Sequence, residues 1–187
     1  SCDVAYSAQC QHLLADFASQ DSLAMTYVMA DNNGGYGAGH NQAMSSCVGQ
    51  FHLILNPDVQ LSEEAIPLAM DLLASERSVA LLAPTGRRDN GEPEYLAKTY
   101  PSVWVLGLRA FAPAWLKRLG ERALARYEMR DQLNHGEVRP VTLASGCCIW
   151  VRREMFDAVG GFDERFFLYF EDYDLSLKMA QWGQVLE

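Results

Sequence analysis

Two short β-prone runs, Phe51-His-Leu-Ile-Leu55 and Val79-Ala-Leu-Leu-Ala83, stand one helix-length apart behind a glycine-rich segment. This order constrains the fold more than any other feature of the chain. Strands separated by a helix-length segment form the crossover unit of α/β proteins, because parallel strands cannot be joined by a tight turn. The first run ends at Asn56-Pro57-Asp58 and the second at Pro84, where proline withdraws a ladder donor. Between them, Ser62 is placed to cap a helix running to Ser75. Upstream, Leu13, Leu14 and Phe17 predict a helix over 8–17, and residues 23–29 read as a strand. That strand runs into residues 31–41, with four glycines in eleven positions, which predicts a tight backbone turn followed by a helix over about 41–46.

Beyond Pro84 the pattern changes. Residues 85–100 are polar and turn-rich, and 102–130 interleave Trp104, Leu106, Leu108, Phe111, Trp115 and Leu116 with Arg109, Lys117, Arg118, Arg122, Arg126 and Arg130. This predicts a helical excursion over about 85–140, holding an amphipathic helix or helix pair broken near Pro113. Its basic face either meets solvent or makes a peripheral contact with a membrane or acceptor. Residues 141–145 and 147–151 read as strands flanking Gly146, followed by helices over 153–159 and 172–182. The length of 187 residues suits a single domain over 1–187.

Charge and cysteine usage narrow the function. Fifteen Lys and Arg against 24 Asp and Glu give a net charge of −9, which excludes a broad nucleic-acid-binding surface but leaves room for a local basic site holding a diphosphate. No stretch approaches the ~18 consecutive apolar residues of a spanning helix. The five cysteines show no Cys-x-x-Cys spacing for zinc and suit reduced thiols in the cytosol.

Three segments carry chemistry. Asn56-Pro57-Asp58 follows a strand, where α/β sheets bind ligands. It is either a turn leading to the next helix or the place where Asp58 presents a carboxylate to a divalent cation. Asn33-Gly-Gly-Tyr-Gly-Ala-Gly-His-Asn41 allows close approach of backbone to a ligand, yet it has neither Gly-x-Gly-x-x-Gly spacing nor the Gly-Lys-Ser/Thr of a P-loop. His40 within it reads as a loop-bonded imidazole, or as a base or metal ligand. In Gly160-Gly-Phe-Asp-Glu-Arg-Phe-Phe-Leu-Tyr-Phe-Glu-Asp-Tyr-Asp174, aromatics run directly into Glu171, Asp172 and Asp174. The acids either cap a helix over an aromatic core or include a general base held near an apolar wall.

Taken together and in this order, residues 33–41, Asn56-Pro57-Asp58, Ser145-Gly146 and residues 160–174 resemble the family 2 glycosyltransferases of the GT-A fold, especially the bacterial rhamnosyltransferase-like branch. The resemblance covers about residues 30–183. It implies an α/β fold: a Rossmann-like, mostly parallel sheet flanked by helices, of which this chain is expected to lack the N-terminal strand–helix–strand and the C-terminal end. The activity it implies is inverting, metal-dependent transfer of a sugar, with rhamnose a candidate, from a dTDP- or UDP-sugar to an acceptor hydroxyl in bacterial polysaccharide or lipid-linked glycan synthesis. By the same resemblance Asp58 holds Mg²⁺ or Mn²⁺ and Asp172 is the general base. Asn33, Gly35, Gly39, Asn41 and Asn56 lie along the donor, and Ser145, Gly146 and Glu171 line the sugar and acceptor pocket. Asn56 stands where the family commonly has an acid, so the motif offers one direct carboxylate. The expected location is cytoplasmic, with peripheral contact at the inner face of the plasma membrane through 102–130. The alternative is a non-catalytic remnant or nucleotide-sugar-binding module. A nucleotidyltransferase is disfavoured because residues 33–41 contain no Lys or Arg.

Overall fold

The computed structural model describes residues 26, 28–30, 32–88, 90–130 and 137–187. The helix expected over 8–17 lies outside the described residues, as does most of the strand expected over 23–29; residues 26 and 28–30 carry no strand.

The central sheet has four strands in the order β1-β7-β2-β8: β1 (Phe51–Leu55), β7 (Cys148–Arg152), β2 (Val79–Leu82) and β8 (Gln184–Leu186). β1 and β2 both pair antiparallel with β7, and β2 pairs parallel with β8. The expectation of a mostly parallel sheet is therefore corrected. Three strands share one direction, but β7 lies between β1 and β2 and runs against both, so the sheet is mixed. The cause is the turn at Gly146, which brings the chain into β7 from the edge where β1 and β2 end.

Period-two alternation sorts the sheet's two faces. Ile149 and Val151 of β7 join Leu81, Leu175, Met179, Phe156 and Phe162 in one buried cluster. Cys148 and Trp150 join Leu73, Val79, Leu82 and Leu186 in the other. Helix α2 (Ala65–Ser75) covers the second face through Ala69 and Leu73. Helices α6 (Arg153–Ala158) and α7 (Glu171–Met179) cover the first. Each large apolar side chain buried in this way contributes about 1.5–3 kcal/mol. Ser62 does not cap α2 with its side chain; a preceding turn, in which Ala65 N–H donates to Ser62 O at 3.1 Å, winds the chain into the helix.

The glycine-rich segment is more helical than expected. Helix α1 (Tyr36–Ser45) begins inside it, and only Gly35 adopts a positive φ, at 95°. A Cβ on Gly35 would lie 2.2 Å from Phe167 O, so glycine is required there twice over. Gly37 serves packing, since a Cβ would lie 2.8 Å from Phe162 Cβ.

The described residues between 85 and 144 hold more regular structure than the polarity of this stretch suggested. β3 (Gly86–Arg87) pairs with β4 (Pro93–Glu94), and β5 (Ala97–Lys98) pairs with β6 (Leu143–Ala144). Among the described residues three α-helices stand where one or two were expected: α3 (Val103–Phe111), α4 (Ala114–Leu119) and α5 (Glu121–Tyr127). Ser102 caps α3 by accepting from Val105 N–H. The break at Pro113 is as expected; Gly120 supplies a second. Val105, Leu108, Leu124 and Tyr127 close a small separate core. Among the described residues no helix is long and apolar enough to cross a membrane.

Candidate active site

The parallel strands β1, β2 and β8 all end on one edge of the sheet, where β7 begins, and Asn56 and the turn 145–147 stand at that edge. Asn56 N–H donates to Cys147 O at 2.8 Å, carrying the β1–β7 pairing one step past the ladder and fixing Asn56 beside the turn 145–147. Tyr36, the first residue of α1, reaches the same turn. Its phenol oxygen lies 2.6 Å from Gly146 O and 3.1 Å from Asn56 Oδ1, sharing its hydroxyl between the two acceptors. On the other side, Gly146 N–H donates to Asp172 Oδ2 at 3.0 Å and Tyr173 N–H donates to Asp172 Oδ1 at 2.9 Å. One hydrogen-bonded chain thus runs from Asn56 through Tyr36 and Gly146 to Asp172.

Helix α7 is held for this purpose at two points. Ser176 donates to Asp172 O at 2.8 Å and accepts from Ala144 N–H at 3.1 Å, fixing the first turn of the helix to β6. Ahead of the helix, Tyr169 and Phe170 both adopt φ of 68°, a left-handed pair built from bulky residues. The aromatic run resolves into two parts: Phe162 is buried core, whereas Phe167, Tyr169 and Phe170 are exposed beside the acids. The strained residues deliver Glu171 and Asp172 as the first two of α7.

Burial sets the electrostatics. It pushes the Asp172 carboxyl above the usual aspartate range, opposed by the backbone N–H groups of Gly146 and Tyr173. Glu171 is buried, its Oε2 has no hydrogen-bond partner, and burial, with the Asp172 charge, pushes it up too. The Tyr36 phenol is driven strongly upward, first by burial and then by Cys147, Asp172 and Glu171, so it remains a donor at every physiological pH.

Asp58 occupies different surroundings. It is exposed, has no hydrogen bond or ion pair among the described residues, and lines a cleft of about 820 Å³ with Arg87, Arg88, Glu94, Cys147 and Cys148 among others. Asp172 is not in that lining; it is bonded to the turn 145–147 through Gly146 N–H, and the neighbouring Cys147 lines the cleft with Asp58. The described residues include no group of three or more His, Cys, Asp or Glu poised around a metal. The donor set nevertheless fits Mg²⁺ or Mn²⁺ of the kind held by one or two carboxylates together with substrate phosphates, since Asp58 is free of internal partners and Glu94 lines the same cleft.

The remaining expected residues divide. Asn33 Oδ1 accepts from Gly35 N–H at 3.1 Å and shapes the turn before α1. Gly39 is exposed on α1, with open space where a side chain would stand. Asn41 is committed to the fold: its amide donates to Phe162 O at 2.9 Å and to Glu164 Oε1 at 3.0 Å, and accepts from Phe162 N–H at 2.9 Å. Ser145 is tied into the turn, its N–H donating to Leu96 O at 3.1 Å. His40 lies in α1 and packs against Tyr36 and Phe162, and burial lowers its pKa, so among the described residues it is a ring-packed helical imidazole and not the loop-bonded one expected. Sequence reasoning missed Tyr36 as the link between the motifs, although it stands in the middle of one of them. It also missed Arg87, Arg88 and Glu94, which lie in a segment read only as an excursion.

The Glycosyl transferase family 2 model matches residues 7–160, a span that includes the Asn56-Pro57-Asp58 edge and ends before Asp172. The chain is 30% identical over 192 aligned positions to the N-acetylglucosaminyl-diphospho-decaprenol L-rhamnosyltransferase of Mycobacterium tuberculosis strain CDC 1551 / Oshkosh, and equally to that of strain ATCC 25618 / H37Rv. Each alignment takes in 91% of this chain and 61% of the relative, so the chain spans about three-fifths of the length of these relatives.

Proposed function

We propose, from the premise that this chain belongs to glycosyl transferase family 2, that it forms the sugar-transfer centre of an inverting, metal-dependent glycosyltransferase. The donor is a nucleotide-diphosphate sugar (dTDP- or UDP-linked), with rhamnose favoured by the similarity to the mycobacterial rhamnosyltransferases. The acceptor is a hydroxyl on a glycan or lipid-linked saccharide. The observation that carries this reading is the hydrogen-bonded chain that ties Asp172 and Asn56 to one turn at the carboxyl edge of the sheet, two residues from Asp58.

In the reaction, Asp172 accepts the proton of the acceptor hydroxyl while the hydroxyl oxygen attacks the anomeric carbon. The bond from that carbon to the diphosphate oxygen breaks, the electron pair leaves with the diphosphate, and the configuration inverts. Each Asp172 oxygen spends one lone pair on a backbone N–H and keeps another for the substrate. The raised pKa makes the carboxylate a stronger base. Asp58 would hold Mg²⁺ or Mn²⁺, which supplies Lewis-acid neutralisation of charge on the diphosphate when bound. Arg87 and Arg88 add positive charge to the same cleft. Tyr36 and Gly146 act as positioning residues, keeping the turn between the two acids rigid.

Peripheral contact with the cytoplasmic face of a membrane accords with the excursion. Val103, Trp104, Phe111, Trp115 and Leu119 are each at least 60% exposed, beside Arg109, Lys117 and Arg118, the composition of an interfacial helix.

The test is donor binding and transfer measured together in the full-length protein. Asp58→Ala is expected to abolish Mn²⁺-dependent donor binding by calorimetry, and Asp172→Asn to abolish transfer while sparing binding. Metal-dependent affinity that survives in Asp58→Ala refutes the metal assignment. Tight donor binding with no turnover in the wild-type protein would favour a binding module instead.

A further inference from the structure

A second cleft of about 490 Å³ adjoins the first, sharing Arg88 and Glu94 with it, and is walled by β5, α3 and the end of α5. Lys98 on β5 lines it and is 8% exposed. Its ammonium stands 6.0 Å from the centroid of the Tyr127 ring, and the Arg109 guanidinium stands 5.5 Å from the same centroid. Neither cation makes a salt bridge or hydrogen bond among the described residues. The other two cations of the lining are engaged: Arg130 with Glu128 and Glu121, and Arg88 with Glu92 at 3.9 Å. Glu128, Glu187 and Glu94 attract the Lys98 ammonium from beyond salt-bridge distance, and among the described residues no carboxylate pairs directly with Lys98 or Arg109.

Burying an ammonium without a counter-ion is unfavourable. Two cations held against one aromatic ring repel each other, and an anion bound between them relieves both penalties. Planar guanidinium and compact ammonium together suit phosphate oxygens. The ring that both cations stand against is linked through hydrogen bonds to the proposed base. The hydroxyls of Tyr127 and Tyr173 lie 2.5 Å apart, and Tyr173 N–H donates to Asp172 Oδ1.

We propose that this cleft is an oxyanion subsite, and that Lys98 and Arg109 hold in it the phosphate or diphosphate group carried by the acceptor. The oxyanion site stands on the cleft itself; its assignment to the acceptor rests on the sugar-transfer reading above. The acceptor's sugar hydroxyl would then reach Asp172 while its phosphate stays behind the Tyr127–Tyr173 pair, separate from the donor diphosphate at Asp58.

Inorganic pyrophosphate, titrated by calorimetry into the full-length protein in EDTA, tests the site without metal or turnover. Saturable binding is expected, weakened about tenfold by Lys98→Met and by Arg109→Gln and restored by Lys98→Arg. Arg77→Gln, at an exposed position outside both clefts, should leave it unchanged. Arg109 is an exposed position, so its variant guards against loss of folding in the Lys98 series. Absent binding, equal affinity across the variants, or loss in Arg77→Gln in place of Lys98→Met overturns the site. A second arm separates acceptor from free phosphate. Arg109→Gln should raise KM about tenfold for a sugar 1-phosphate acceptor and leave KM for the parent sugar unchanged. Equal KM changes for both acceptors would leave a free-phosphate site and overturn the acceptor assignment. If pyrophosphate binds as expected but the wild-type protein transfers no sugar, the oxyanion site stands and the acceptor assignment falls with the transferase reading.

Discussion

Replacing Asp172 with Asn separates base catalysis from architecture, because the structure predicts different sizes for the two effects. General-base catalysis contributes roughly 10²–10⁴ in rate, which corresponds to about 2.7–5.4 kcal/mol at 1.36 kcal/mol per decade. The structural effect is smaller. The aspartate accepts from Gly146 N–H on one oxygen and Tyr173 N–H on the other. Asparagine keeps one of these bonds and turns an NH₂ toward the other donor, a loss of about 1–3 kcal/mol for an unpaired, part-buried N–H. Removing a charge that burial disfavours offsets part of this, so the net cost is about 1 kcal/mol, a fall in Tm of roughly 2–4 °C for a domain of this size. The assay is kcat at saturating donor and acceptor, with Tm and donor Kd measured on the same preparation. Turnover within about tenfold of wild type, in a variant that binds donor, would refute the assignment of the base; the roughly hundredfold-or-greater drop it requires follows from the range above. The same shift fixes the pH dependence. Wild-type kcat should rise with pH through a pKa above the ordinary aspartate value, and that limb should be missing in the variant.

Three further outcomes follow from local geometry. Gly35→Ala must place a Cβ 2.2 Å from a backbone oxygen at φ 95°, and should lower stability by more than the ~1 kcal/mol of a simple glycine replacement; an unchanged urea midpoint would show that the turn can rebuild. Tyr36→Phe leaves Gly146 O and Asn56 Oδ1 without their shared donor, costing about 1–2 kcal/mol, and should cut kcat more than it raises donor KM; an effect confined to Tm would limit Tyr36 to the fold. Glu171 is buried with a raised pKa, so the stability it contributes is fully present below its unfolded pKa of 4.5 and is lost as pH climbs through the higher folded value. Chemical denaturation from pH 4 to 8 should therefore show wild type losing stability relative to Glu171→Gln, and parallel curves would contradict the burial argument.

The elements legible from sequence are those whose signal is local. β1 and β2 follow from apolar runs closed by proline, and α7 follows from the acids and apolar spacing after Phe170. Strand order is not local. Nothing in residues 147–151 says that this run inserts between β1 and β2 in reverse; that depends on the turn at Gly146 meeting both Asn56 and Asp172, contacts over more than 20 residues in each direction. The glycine-rich segment misled for a related reason. Its glycines look like a demand for unusual φ, yet Gly37 is there because α1 lies against Phe162, a contact 125 positions away that periodicity cannot express. Ser62 looked like a cap by residue type, but a backbone turn already starts the helix. The excursion was legible as an interruption and opaque in content, since pairs such as Ala97 with Ala144 join strands of only two residues.

The site was legible as a set of motifs, and the link between them was not. The resemblance supplies the Asn-Pro-Asp edge and the Glu171-Asp172 pair but does not say what holds them at one turn. In the structure the answer begins with strain. Two consecutive bulky residues at φ 68° cost of order 1–3 kcal/mol each, and such a conformation persists only where its surroundings impose it. Here the surroundings are specific: Phe167 O accepts from Tyr36 N–H at 3.0 Å, and Phe170 O accepts from Asp174 N–H at 2.9 Å. The first bond exists because Gly35, without a side chain, lets α1 come that close; the second belongs to α7 itself. Gly35 therefore serves the acids at a distance. It allows Tyr36 to hold the loop that carries Glu171 and Asp172 with its backbone and the Gly146 turn with its phenol, so that both ends of the hydrogen-bonded chain are fixed from one residue.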